Sequence, residues 1–150
     1  MSQRIPLRTQ TVRMHAPRGL CFEVVASAGR VVEQRSEFEK IVRFETSHRK
    51  RTIPTLEKIK LQPPERIQYA WLEGPLPDVR EEISFQEVDG AETDVTYAGW
   101  FASPPGLFGP LIGRLYVKRV FERLVREHLL EAKELAERRA ARSHVWRSAT

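Results

Sequence analysis

The sequence predicts an α+β fold. A curved antiparallel β-sheet of about six strands grips one long C-terminal α-helix, with a short helix after the first strand. Two observations lead to this prediction. Strand-like runs with short connections fill residues 36–103, and short connections join antiparallel neighbours. An uninterrupted helical pattern then runs from Gly113 to Arg142. A sheet with one apolar face must cover that face, and the helix carries a matching apolar stripe.

The chain opens with a strand and a short helix. Residues 7–15, LRTQTVRMH, alternate in polarity and have strand composition. Residues 16–30, APRGLCFEVVASAGR, predict one helix, with Pro17 in its first turn and Gly29 just past its end. Cys21 falls near the core side of this helix, where a buried, unreactive cysteine is the norm.

Five strand-like runs follow, each bounded by turn-forming residues. They are residues 36–47, 52–61, 66–74, 79–88 and 93–103. Asp89 and Gly90, between the last two runs, are a strong hairpin signal. Residues 104–113, PPGLFGPLIG, predict a loop or short turn before the long helix. We expect a single domain, residues 1–150, with a frayed tail from roughly residue 140 to residue 150.

The long helical pattern is strongly amphipathic. At about 100° per residue, apolar side chains share one broad arc and charged side chains occupy the rest. The apolar arc comprises Val117, Val120, Phe121, Leu124, Val125, His128, Ala132, Leu135 and Ala136. Burial of such an arc is what stabilises a helix in water. His128 lies near the middle of the arc, so we expect it to face the sheet.

Composition excludes several classes of protein. With 41% apolar and 30% charged residues, the chain has the make-up of an ordinary globular domain. Its single Cys excludes an internal disulfide and a thiolate zinc site, and its four His residues are dispersed, so no metal is expected. It has no phosphate-binding glycine loop, and no cofactor is expected. Without a membrane-length apolar run or a signal-peptide core, a cytoplasmic location is expected.

A net charge of +5 and a pI near 9.7 raise the question of an acidic partner. The excess is spread along the chain, with HRKR at residues 48–51 as one cluster. That cluster predicts a solvated hairpin loop, and the alternative is a contact with nucleic acid or an acidic membrane. No helix-turn-helix, RNA-binding aromatic motif or zinc finger accompanies it, so DNA is not expected as a partner.

The order of elements and two motifs resemble a known family. APRGLCFEVVA resembles the family's opening of the first helix, and GRLYVKRVFERLVREHLLEAKELAERRA resembles the C-terminal helix of many bacterial members. The family is the helix-grip superfamily of START lipid-transfer domains, birch-pollen-allergen-like proteins and polyketide cyclase/dehydrase-like proteins, often labelled SRPBCC. The resemblance implies a cavity between sheet and helix that takes hydrophobic small molecules. Some members use the cavity as enzymes, and others carry or sense a ligand.

The chain departs from this family pattern near the expected cavity mouth. The family usually has two short helices after the first strand, whereas here the second is at most a turn within residues 29–36. Many members also carry a Trp-Pro-like pair at that point, where this chain reads AGRVVEQRSEF.

Alternation along the strands predicts which side chains face the long helix. Glu57 and Glu81 fall on the inward face, among aromatic and aliphatic neighbours. The candidate ligand-binding residues are Thr55, Tyr69, Trp71, Ile83, Phe85, Val95, Tyr97 and Phe101 on the sheet, with Val117, Phe121 and Leu124 on the helix. An apolar lining with a few polar points is typical of a small-molecule pocket, and the alternative is a filled core.

Three functions fit these observations. The first is binding or transport of a hydrophobic small molecule or lipid. The second is a cyclase/dehydrase-like enzyme in which His128 and Glu81 form a catalytic acid–base pair, the alternative for His128 being a satisfied buried histidine. The third is an RNA- or protein-interaction module with a vestigial cavity.

The apolar side chains of loop 104–112 predict a lid over the cavity or a tip that contacts a membrane. The alternative is a loop that packs on the core of its own domain. The sequence does not indicate an oligomeric state.

Overall fold

We describe residues 3–149 of a computed structural model, with side chains to residue 143. These residues fold into eight strands and three helices. In order they are β1 (Arg4–Pro6), β2 (Gln10–Met14), α1 (Arg18–Ala26), β3 (Arg30–Ser36), β4 (Glu39–His48), β5 (Arg51–Gln62), β6 (Arg66–Glu73), β7 (Val79–Asp89), β8 (Glu92–Ala102), α2 (Gly109–Ile112) and α3 (Lys118–Ala149). A π-helical turn, Gly113–Val117, joins α2 to α3.

All eight strands belong to one antiparallel sheet. Its order is β1-β8-β7-β6-β5-β4-β3, and β2 also pairs with β8. Neighbouring strands from β3 to β8 are therefore joined by simple hairpins, as the short connections predict. The predicted α+β fold with a curved antiparallel sheet and a long C-terminal helix is confirmed, with eight strands where about six were expected.

The two additional strands arise at the start of the chain. The predicted first strand, residues 7–15, contains β2, and the additional strand β1 precedes it; the two pair with different parts of β8. Residues 30–36 form β3, which the sequence did not predict, and they contain no second short helix. All seven side chains of β3, an edge strand, are exposed, so its sequence lacks the alternation that marks a half-buried strand.

Helix α1 covers one end of the sheet. Cys21, Phe22, Val24 and Val25 are buried on its inner side. Phe22 packs edge-on against Phe85 of β7, with ring centroids 5.3 Å apart. The buried ammonium of Lys40 donates a hydrogen bond of 2.6 Å to the carbonyl of Ala26 in the last turn of α1. This bond satisfies a carbonyl that the helix leaves without an internal partner.

The C-terminal helical segment begins before the predicted start at Gly113, because α2 and the π turn lead directly into α3. Gly113 lies against the sheet, where an added Cβ would come within 2.6 Å of Ile5 Cδ1. The predicted frayed tail, residues 140–150, lies largely beyond the described side chains. Among the described residues, no helix combines the length and the apolar character needed to cross a bilayer.

The buried face of α3 differs from the predicted one in its rotation. Val125, Leu129 and Ala136 are buried, whereas His128 and Leu135 are exposed. At about 100° per residue, Leu129 and Ala136 lie closer to Val125 around the helix than His128 does. The predicted arc is therefore rotated from the observed one, and the prediction that His128 faces the sheet is wrong.

Candidate ligand-binding site

The strand register brings the predicted inward side chains together on the face toward α3. Tyr69 pairs with Glu81 across β6 and β7, and Glu81 pairs with Gly99 across β7 and β8. Glu57 pairs with Trp71 across β5 and β6. Because directly paired residues point to the same side of a sheet, these groups share one wall.

Glu81 is the centre of a hydrogen-bond network on this wall. The Trp71 indole nitrogen donates to Oε1 of Glu81 at 2.9 Å, and the Tyr97 hydroxyl donates to Oε2 at 2.6 Å. Both donors stabilise a negative charge on Glu81. The absence of a side chain at Gly99 leaves room for this network, since an added Cβ would lie 3.0 Å from the Tyr97 hydroxyl.

Glu57 is a second buried carboxyl beside this network. Its side chain accepts one hydrogen bond of 2.7 Å, from the hydroxyl of Thr55. Burial, and then the charge of Glu81, raise the pKa of Glu57 to about 8, against the opposing effect of the Thr55 hydrogen bond. Glu57 is therefore protonated at neutral pH.

The pKa of Glu81 is also raised by burial, while the hydrogen bonds from Tyr97 and Trp71 act in the opposite direction. The two carboxyls titrate as a pair, which holds at least one proton at neutral pH. Burial and the nearby carboxylates likewise raise the pKa of Tyr69 and of Tyr97. Both phenols stay neutral, so each retains a proton to donate.

Helix α3 meets this wall through one aromatic side chain. Phe121 stacks between Trp71 and Phe101, with ring centroids 5.7 Å and 6.1 Å away. Stacked aromatic pairs add to the stabilisation from burial. On the sheet, Phe44 of β4 contacts Tyr69 at 6.4 Å between centroids.

Several inward-facing side chains on the wall are only half-buried. Tyr69, Trp71, Glu81, Ile83 and Phe121 all retain partial exposure, although they point between the sheet and α3. A close-packed core would leave such side chains inaccessible. The side chains between the central strands and α3 therefore remain partly accessible to solvent, while α3 packs on α1 and β2.

A second feature of the sheet lies at the end of the β4–β5 hairpin. A cavity of about 560 Å³ there is lined by His48, Arg49, Arg51, Ile53 and Tyr116. Ile53, Thr55 and Glu57 follow one another along the inward face of β5. At about 3.3 Å per residue, Glu57 lies about 13 Å deeper than Ile53 along the strand.

The predicted site residues separate into two groups. Thr55, Phe85, Val95, Tyr97 and Phe101 are buried, and all of these except Thr55 belong to the packed core. The half-buried group comprises Tyr69, Trp71, Ile83, Val117, Phe121 and Leu124.

The predicted acid–base pair is not formed. Glu81 points inward as predicted, whereas His128 is exposed on α3. Sequence reasoning placed Glu57 inward but did not identify it as the neighbour of Glu81. It also missed Phe44 and His48, whose inward orientation follows from the same alternation along β4 as that of buried Val42.

Solved structures with this architecture include two kinds of protein. The Zhui aromatase/cyclase from a Streptomyces species matches with a TM-score of 0.80 and 21% identity, over 91% of this chain and 96% of that one. A di-domain aromatase/cyclase from the steffimycin biosynthetic pathway matches with a TM-score of 0.75 and 16% identity, over 92% of this chain and 52% of that one. A START superfamily protein from Mycobacterium smegmatis matches with a TM-score of 0.62 and 13% identity, over 92% and 99%.

No protein-family model matches this sequence, and no curated protein matches it. At these identities, the structural likeness concerns the fold. This likeness of fold is consistent with the antiparallel sheet, the short α1 and the long α3 described above. The chain has the helix-grip fold of the aromatase/cyclase and START superfamily structures.

Proposed function

We propose that the chain binds a hydrophobic small molecule in the space between its sheet and α3. The observation that carries this proposal is the set of half-buried aromatic and apolar side chains facing inward around the Glu57–Glu81 pair. Such a lining, apolar with a few convergent polar groups, suits a ligand with an apolar body and a polar atom that can bind a carboxyl or phenol. The fold shared with an aromatase/cyclase supports the same function.

The neutral fluorescent probe N-phenyl-1-naphthylamine tests this proposal. We expect saturable binding of one probe molecule per chain, accompanied by increased fluorescence. Ile83→Trp places a larger side chain in the space and should abolish binding, whereas Ser84→Trp, on the exposed opposite face of the same strand, should not. Equal binding by both variants, or no binding by the unmodified protein, would contradict the proposal.

A second candidate function is acid–base catalysis on a ligand that contains a carbonyl group. The supporting observation is the buried carboxyl pair, in which Glu57 has a pKa of about 8 and Glu81 accepts two hydrogen bonds. A carboxyl that titrates near neutrality can both donate and accept a proton under working conditions. In this proposal Glu81 removes a proton from the carbon next to the carbonyl, and Glu57 supplies a proton to the oxygen.

Hydrogen–deuterium exchange of 2-tetralone, a bicyclic ketone, tests this second candidate. We expect the protein to accelerate exchange next to the carbonyl, as followed by NMR. Glu81→Gln and Glu57→Gln should each slow that exchange at least tenfold, while exposed Glu87→Gln should leave it unchanged. Equal rates in all four proteins would exclude this chemistry.

A membrane contact by segment 104–112 is also proposed, with a bilayer of anionic lipid as the partner. Leu107 is 90% exposed and Phe108 is 65% exposed. Tyr116, four residues after this segment, lines the cavity that Arg49 and Arg51 also line, so two cations lie beside the helical turn that follows the segment. That combination favours an anionic lipid surface.

Flotation with vesicles tests the membrane contact. We expect binding to vesicles that contain phosphatidylglycerol and weaker binding to vesicles of phosphatidylcholine alone. Substitution of Leu107 and Phe108 by Ser should abolish flotation, whereas Leu130→Ser, at an exposed apolar position on α3, should preserve it. Flotation that is unchanged in the double variant would contradict this proposal.

A further inference from the structure

The β4–β5 hairpin turns through two residues in an unfavourable backbone conformation. His48 pairs with Arg51, so Arg49 and Lys50 form the two-residue turn. Their φ angles are 48° and 62°, in the left-handed region. Turns of this kind favour Asn-Gly or Asp-Gly, because other residues there are strained. The turn thus carries two cations, Arg49 and Lys50, at positions where Asn and Gly would be more stable. Backbone strain of this kind is found most often at functional sites.

A buried polar atom lies beside this turn. The side-chain Nε2 of His48 is buried and has no hydrogen-bond partner among the described side chains. His48 follows Val42 and Phe44 on the inward face of β4, so it is directed toward the cavity rather than the outer surface. An unpaired buried polar atom costs free energy that a hydrogen-bonding ligand would recover.

The cavity at the end of the β4–β5 hairpin, called the cavity mouth below, has positively charged side chains and no negatively charged ones. His48, Arg49 and Arg51 line the cavity together with Ile53 and Tyr116, and none of these five carries a carboxylate. Guanidinium groups bind carboxylate and phosphate oxygens through paired hydrogen bonds. The mouth therefore attracts an anion. Glu57 lies about 13 Å further along β5 than Ile53, and this carboxyl and its neighbour Glu81 disfavour an anion there.

We infer that the cavity mouth is an anion-binding subsite, and that the ligand is a hydrophobic molecule with a terminal carboxylate or phosphate. The anionic group binds His48, Arg49 and Arg51, and the apolar body extends past Ile53 toward Glu57. This inference rests on the proposed ligand-binding function and adds the chemical class and orientation of the ligand.

Two matched probes test the subsite. 1-Anilinonaphthalene-8-sulfonate and N-phenyl-1-naphthylamine share one aromatic body, and only the first carries a negative charge. We expect the anionic probe to bind at least tenfold more tightly at low salt and to lose that advantage at high salt. Substitution of Arg51 by Gln should weaken the anionic probe about tenfold and leave the neutral probe unchanged.

A turn variant separates the subsite from effects on folding. Substitution of Arg49 by Asn and Lys50 by Gly removes both cations and relieves the backbone strain, so its melting temperature should rise while its affinity for the anionic probe falls. Arg66→Gln serves as the control, because Arg66 pairs with Gln62 at the other end of β5 and its loss should change neither affinity.

The outcomes distinguish this inference from the proposed function. Tight binding of both probes with no effect of the Arg51 and turn variants would overturn the subsite and preserve the cavity. Failure of both probes to bind would overturn both the subsite and the proposed function.

Competition against the anionic probe identifies the ligand group. Displacement by decanoate at a lower concentration than decyl phosphate assigns a carboxylate, and the reverse order assigns a phosphate. Decanol, which is neutral, should compete most weakly, and equal competition by decanol would count against the subsite.

Discussion

The hydroxyl of Tyr97 donates a hydrogen bond of 2.6 Å to Glu81, a carboxyl on the neighbouring strand of the sheet. This bond joins a phenol that stays neutral to a carboxyl that burial makes difficult to ionise. Trp71 donates to the other oxygen of the same carboxyl. These two donors hold the carboxyl of Glu81 in a fixed orientation on the inner face of the sheet.

Gly99→Ala should disrupt this network. The added Cβ would lie 2.8 Å from the carbonyl oxygen of Arg80 and 3.0 Å from the Tyr97 hydroxyl, so both must move. We expect a loss of about 1–3 kcal/mol in the free energy of unfolding, measured by urea denaturation. Gly90→Ala is the control, since nothing lies within 4 Å of a Cβ added there. Equal stabilities of the two variants would contradict the proposed role of Gly99.

Glu57 should make stability depend on pH. Its pKa rises from 4.5 to about 8, so the folded state binds this proton more tightly than the unfolded state does. The resulting stabilisation is complete below about pH 4.5 and is lost as the pH rises through about 8. Since one pKa unit corresponds to about 1.4 kcal/mol, the loss should be about 2–5 kcal/mol between pH 5 and pH 8.5.

Urea denaturation of Glu57→Gln at both pH values measures this effect. The variant should lose less than half as much stability as the unmodified protein over this interval, because Gln keeps the contact with Thr55 and does not ionise. Glu87→Gln removes an exposed carboxyl of β7 and should behave as the unmodified protein does. Parallel pH curves for all three proteins would show that Glu57 ionises normally.

The rotation of α3 can be checked with two neighbouring residues. Leu129 is 3% exposed, so Leu129→Ala should cost about 2–4 kcal/mol of stability. His128→Ala removes an exposed side chain and should change stability by less than about 0.5 kcal/mol. Thermal denaturation compares the two, and a larger loss for His128→Ala would place the histidine on the buried face after all.

Phe121→Ala should weaken the contact between α3 and the sheet. Phe121 is half-buried and stacks on Trp71 and on Phe101, so its truncation should cost about 1–3 kcal/mol, less than for a fully buried aromatic side chain. It should also enlarge the interior space and change the affinity for N-phenyl-1-naphthylamine. Thermal denaturation and a titration with this probe measure the two effects. A variant with unchanged stability would show that this stack does not hold α3 in place.

The central strands could be predicted because one face of the sheet is buried and the other is exposed to solvent. Alternation in β5 to β8 places Glu57, Tyr69, Glu81 and Tyr97 inward, and the register agrees with that placement. Strand β3 offers no such signal, because all of its side chains are exposed. Periodicity reports burial, so it does not detect an edge strand that buries nothing.

The carboxyl pair could not be predicted in the same way. Alternation gives the face of Glu57 and of Glu81 but not their proximity, which depends on the register across three strands and on the irregularity between Leu56 and Glu57. The misplacement of His128 has a related cause. A broad apolar arc allows several helix rotations, and only packing against α1 and β2 selects one of them.

The indole N–H signals of Trp71 and Trp100 offer the most direct test of a ligand in the interior. Trp71 donates to Glu81 on the inner wall, whereas Trp100 lies on the outer face beneath the guanidinium of Arg4, 4.3 Å from its ring centroid. Trp71→Phe and Trp100→Phe assign the two NMR signals. On titration with N-phenyl-1-naphthylamine, we expect the Trp71 signal to shift and the Trp100 signal to stay. A probe that binds and shifts Trp100 alone would locate binding on the outer surface and contradict the account.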